Sequence, residues 1–114
     1  MEVDTAFRYT TLTAIQTELA NGQLTCSTLV EHYLDRITTT QHLNAYIEVY
    51  SAEAQKRALE LDAKYQADPN SVGRLYGMIL AIKDVICYKD HKVTAASKIL
   101  EGFTALYSST AIER

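Results

Sequence analysis

An α/β architecture is predicted, with N-terminal helices followed by the first strand or strands of a mixed sheet that these 114 residues leave incomplete. Three observations carry the prediction. Apolar residues recur at helical spacing through residues 1–70. An unbroken apolar run, Met78–Ile82, follows a turn bracketed by Gly73 and Gly77. A capping-box pattern, Thr110-x-x-Glu113, then announces a further helix one residue before the chain ends.

The first helix follows from Leu12, Ile15 and Leu19, which share one face, and Asn21-Gly22 stops it because glycine accepts the left-handed conformation found just past helix ends. A second begins at Thr25 as N-cap and carries Leu29, Tyr33, Leu34 and Ile37; the β-branched tail Thr38–Thr40 ends it. Residues 43–50 form a link whose Leu43, Tyr46, Ile47 and Val49 are expected to face inward. Ser51 is the expected cap of a third helix with Ala54, Ala58, Leu61 and Tyr65 on its inner face, broken at Asp68-Pro69-Asn70. Residues 71–114 change character. A strand such as Met78–Ile82, without polar alternation, is typical of a parallel sheet covered on both faces. Its candidate partners, Val85–Tyr88 and Lys92–Ala95, are short, so the sheet lacks strands.

Composition narrows the function classes. Apolar residues at 47% and charged residues at 22% match ordinary globular usage and exclude a disordered chain. The longest apolar run is too short to cross a bilayer, and the acidic start, Met1–Asp4, is unlike a signal peptide; a cytoplasmic protein without membrane association is expected. Cys26 and Cys87 match no zinc or redox spacing, and His32, His42 and His91 are scattered, so no metal is expected. Residues 1–70 carry five basic and ten acidic side chains, residues 71–114 six and four. The cations stand singly rather than clustered as phosphate contacts require, which argues against direct RNA binding.

Lys83 is the candidate catalytic residue. On a strand it shares a side with Ile79 and Ala81, where desolvation would disfavour the ammonium and turn the amine toward general-base chemistry. Spacing alone favours instead a lysine at the strand end whose amine reaches water.

Gly73-Arg-Leu-Tyr-Gly77 followed by Ala81-Ile-Lys-Asp84 resembles the opening of the amidase signature family, with its Gly-x-Leu-x-Gly turn, apolar strand and Ile-Lys-Asp motif. Thr94–Glu101, Tyr107 and Thr110–Arg114 resemble the segments that follow in the family's tRNA-amidotransferase A subunits, and Leu43–Tyr46 extends the likeness upstream. The resemblance implies the amidase signature fold, with residues 1–114 as the N-terminal part of one domain. It implies Lys83 as the base end of a Ser–cis-Ser–Lys triad that attacks an amide through an acyl-enzyme. The A-subunit likeness implies glutamine as the amide, subunits B and C as partners, and misacylated tRNA as the indirect acceptor of ammonia. It implies no cofactor in this chain; ATP and Mg²⁺ would serve the partner subunit.

The sequence departs from the pattern at Val85, where the family usually has Asn, and at Ile79, where many members have Pro. No Gly-Gly-Ser or Gly-Ser-Ser occurs. Ser108-Ser109 lacks the glycines of an oxyanion loop and is read as helix capping. The triad serines are therefore expected outside these residues, and the chain by itself is expected to be inactive. A non-catalytic assembly module and a fragment of a small-molecule amide hydrolase remain alternative readings.

Overall fold

The computed structural model describes residues 11–114; the acidic start Met1–Asp4 lies outside them. The chain divides into two units, one ending at Ile79 and the other spanning Leu80–Arg114. Three helices build the first: α1 (Leu12–Ala20), α2 (Cys26–Thr39) and α3 (Ser51–Ala67).

Side-chain capping sets the helix starts. The Thr11 hydroxyl accepts from the Ala14 N–H at 3.1 Å, and the Thr25 hydroxyl from Thr28 N–H at 3.1 Å, each satisfying a donor that the first turn leaves open. Helix α1 closes at Asn21, with Gly22 at φ 75° beyond it. At the end of α2 the threonines turn on their own backbone: Thr38 donates to Leu34 O, and both Thr39 and Thr40 donate to Arg36 O. Those bonds compete with helix continuation and explain the stop. Helix α3 departs from expectation at its start, because Ser51 is its first helical residue and Tyr50 the N-cap, with no side-chain capping bond.

Helices α2 and α3 pack together around a core of Leu19, Leu24, Cys26, Leu29, Ala58 and Tyr76, flanked by Ile15, Leu61 and Tyr65. The inner face of α3 is the expected one. On α2 the expected Leu29 is buried and Leu34 and Ile37 are half-buried, but Tyr33 is exposed and Cys26 and His32 are buried in addition. Asp62 ties the start of this helix to α3. Its carboxylate reaches from α3 to the start of α2, accepting from Cys26 N–H at 2.8 Å, Ser27 N–H at 3.1 Å and the Ser27 hydroxyl at 2.6 Å. A carboxylate at a helix N-terminus meets open N–H donors and the positive end of the dipole, and here it draws the first turn of α2 inward.

The link 43–50 does not face inward; Leu43, Tyr46, Ile47 and Val49 are all exposed, because no described element covers them. The expected strand Met78–Ile82 is also absent. Among the described residues there is no strand, only an isolated antiparallel bridge between Lys92 and Thr104. A strand needs ladder partners for its N–H and C=O groups, and without them the run stays irregular and exposed, Leu80 at 63%. Toward the end, α4 (Thr110–Glu113) does form, but Ser109 rather than Thr110 is its N-cap, accepting from Ile112 N–H at 3.3 Å.

Candidate active site around Lys83

Two segments of the motif region are held by polar contacts, one in each unit. In the first unit, the turn from Gly73 to Gly77 is fastened to α1 by Gln16, whose side-chain amide donates to Arg74 O at 2.8 Å and Tyr76 O at 3.0 Å. Tyr76 stacks on Tyr65 with ring centroids 4.9 Å apart, joining the turn to α3. Gly77 has to be glycine for two reasons. Its φ is +89°, and a Cβ would stand 2.7 Å from Leu19 Cδ1 and 3.2 Å from Ile15 Cγ2. The Gly-x-Leu-x-Gly pattern is thus a docked turn. Beside it, the buried Cys26 thiol has its pKa raised, chiefly by desolvation. The phenol of Tyr76 is pushed up as well, again by burial first and then by its hydrogen bond with Cys26.

In the second unit, Lys83 begins a tight turn, its carbonyl accepting from Ile86 N–H at 3.0 Å. The side chain is exposed, as are Ile79 and Ala81. The desolvated strand position expected for Lys83 is therefore not what this structure contains, because the strand that would bury it has not formed.

The adjacent Asp84 is tied firmly. One carboxylate oxygen accepts from Thr94 N–H at 2.9 Å and the other from the Thr94 hydroxyl, while the Asp84 carbonyl accepts from Ala95 N–H at 2.9 Å. Hydrogen bonds to a carboxylate favour its charged form, so the side-chain bond from Thr94, followed by the backbone N–H, holds the Asp84 pKa below the ordinary value. The Thr94 oxygen in turn accepts from Ala96 N–H at 3.3 Å, and Thr94 O accepts from Ser97 N–H at 2.8 Å. These contacts over-determine a backbone that is otherwise unfavourable. Ala95 and Ala96 both sit at positive φ, 50° and 58°, which costs a residue with a Cβ on the order of 1 kcal/mol or more. Asp84 and Thr94 both lie in the motif segments, but nothing local in the sequence shows that they bond across ten positions.

Ser108 and Ser109 are both engaged in backbone support. The Ser108 hydroxyl accepts from Lys89 N–H at 3.0 Å, and Ser109 caps α4. Among the described residues no group of three His, Cys, Asp or Glu side chains could hold a metal ion, and no helix is long and apolar enough to cross a membrane.

The model of the Amidase family matches residues 28–114, a span that contains both the docked turn and the Lys83–Thr94 segment. This chain belongs to the Amidase family. Among its relatives is the A subunit of a glutamyl-tRNA(Gln) amidotransferase from Chlorobium phaeobacteroides strain BS1, 44% identical over 100 residues, which are 88% of this chain and 21% of that protein. Proteins of the same name from Chlorobium luteolum and Chlorobaculum tepidum are 44% and 40% identical over 100 residues, again 88% of this chain and 20% and 21% of theirs. The amidase chain thus spans about a fifth of the length of these relatives.

Proposed function

We propose that these residues supply the lysine end of the active site of a glutaminase subunit in a tRNA-dependent amidotransferase. The observation that carries this reading is the 44% identity to proteins named as A subunits of glutamyl-tRNA(Gln) amidotransferase, over a stretch long enough to include Lys83. On this reading Lys83 is the general base of a Ser–cis-Ser–Lys triad whose serines come from residues beyond these 114. The base takes a proton from the bridging serine, which takes one from the nucleophilic serine. That serine's oxygen attacks the glutamine carboxamide, the proton held by the lysine returns through the bridging serine to the carboxamide nitrogen, and the C–N bond breaks with departure of ammonia. Water then cleaves the acyl-enzyme to glutamate. Partner subunits B and C complete a cytoplasmic complex, and ATP with Mg²⁺ acts in the partner that transfers the ammonia to Glu-tRNA(Gln) or Asp-tRNA(Asn).

Residues 1–114 then form the N-terminal part of one amidase domain, helical to residue 70, with Met78–Ile82 as the first strand of a mixed sheet. The exposure of that apolar run supports this, since burial against further strands would remove it from water and give its backbone partners. Without them Lys83 has neither a dry environment nor a nucleophile, and the isolated chain is inactive.

The test is a hybrid enzyme in which this chain replaces the matching fifth of the Chlorobium phaeobacteroides protein. Glutamine hydrolysis should appear in the hybrid, be absent from the 114-residue chain, and fall about a thousandfold in Lys83→Ala, within the range for loss of a general base. Hydrolysis by the isolated chain, or a hybrid insensitive to Lys83→Ala, would refute the reading.

A further inference from the structure

We propose that Asp84 is the positioning residue for Lys83: through its clamp on Thr94 it fixes the turn from which the lysine leaves the chain. This rests on the reading of Lys83 as the base.

The geometry is specific to a carboxylate paired with a hydroxyl. Asp84 accepts on both side-chain oxygens, from Thr94 N–H and Thr94 O–H, and its carbonyl accepts a third bond from Ala95. An ionised carboxylate has only acceptor sites, whereas an amide would present a donor to one of those two groups. Because the Thr94 hydroxyl gives its hydrogen to Asp84, its lone pairs are left for Ala96 N–H, and the strained Ala95–Ala96 pair is locked by the same contact. Asp84 also lies inside the turn closed by Lys83 O and Ile86 N–H. One side chain therefore joins the lysine turn to the 94–97 turn, and the lysine side chain leaves that turn exposed. A base misplaced by about 1 Å loses on the order of a hundredfold in rate, so a clamp one residue away has a catalytic consequence without touching substrate.

Three measurements test this. In the 114-residue chain, Asp84→Asn and Thr94→Val should each lower hydrogen-exchange protection of the Ile86 and Ala95 amides at least tenfold, with the amides of α2 and α3 unchanged. In the wild-type chain the Thr94 amide shift should titrate with a midpoint below the ordinary carboxylate value of 3.8. In the hybrid enzyme, the same two variants should lower kcat about a hundredfold with KM within twofold, and Thr94→Ser, which keeps both donors, should recover the rate lost in Thr94→Val. If kcat stays within twofold in both variants while Lys83→Ala abolishes turnover, the positioning role is wrong and the base reading stands. If Lys83→Ala leaves turnover intact, the base reading fails and this one with it. Unchanged Ile86 and Ala95 protection would remove the clamp itself.

Discussion

Replacing Asp62 by alanine should loosen the α2–α3 pair more than any other single exchange on the polar face of α3. The carboxylate accepts three bonds, at 2.8 Å from Cys26 N–H, 3.1 Å from Ser27 N–H and 2.6 Å from the Ser27 hydroxyl. Hydrogen bonds to a charged group contribute roughly 1.5–3 kcal/mol each. The three do not add fully, since the partly buried donors recover water once the side chain is gone. A net loss of about 2–3 kcal/mol is expected. For a chain of this size that corresponds to a fall in Tm of roughly 8–20 °C. Urea unfolding at pH 7 reads the change, followed by helical circular dichroism and by tyrosine fluorescence, which eight Tyr and no Trp make a clean probe. Ser27→Ala removes one bond, and the double-mutant cycle with Asp62→Ala should give a coupling of about 1 kcal/mol. A loss below about 0.5 kcal/mol for Asp62→Ala, the range of ordinary surface exchanges, would show that the carboxylate does not hold the helices.

Two further outcomes follow from the same unit. Gly77→Ala combines a forbidden φ with a Cβ 2.7 Å from Leu19 Cδ1, so it should destabilise the chain by about 2–4 kcal/mol in the same urea assay; a loss under about 1 kcal/mol would refute the docked turn. Cys26 is 5% exposed and its thiol pKa is raised by burial, whereas Cys87 is partly accessible. Iodoacetamide at pH 8 should therefore alkylate Cys87 at least tenfold faster, as read by mass spectrometry, and equal rates would count against a closed core.

The helices were legible because their signals are local. Thr25 is followed at once by the turn it caps, Gly22 stands where a left-handed residue ends α1, and Ala54, Ala58, Leu61 and Tyr65 repeat at the period of the face they form. What could not be read is long-range and polar. The tie between the first turn of α2 and a carboxylate 36 positions away is recorded by no periodicity within the helix. Likewise Asp84 and Thr94 stand in recognisable motif segments, but their pairing is a property of two turns meeting. At the start of α4 the capping-box spacing points one residue too far, to Thr110, whereas the capping read from the Ser108-Ser109 pair is met by Ser109, which has the extended backbone of a cap, φ −64° and ψ 156°.

The apolar run Met78–Ile82 is where the sequence and the structure differ most, and the difference bears on chemistry. Pattern describes what a segment does once it has neighbours, and a strand more than a helix depends on them, because its backbone bonds all leave the segment. Helices α1 to α3 satisfy their own backbone and need only each other for a core; the run has no described ladder partner and remains exposed. The polar devices around it are nevertheless in place, with Gln16 fastening the turn ahead of it and Asp84 fastening the turn behind Lys83. On the proposed reading these fix backbone direction first. The dielectric environment that makes a lysine a base comes only when further strands cover the run. Position and reactivity at Lys83 are then separable, so in the hybrid enzyme variants of Asp84 and variants of the covering surface should fail in different ways: the first in kcat with the amides of residues 78–82 still protected from exchange, the second in kcat together with that protection.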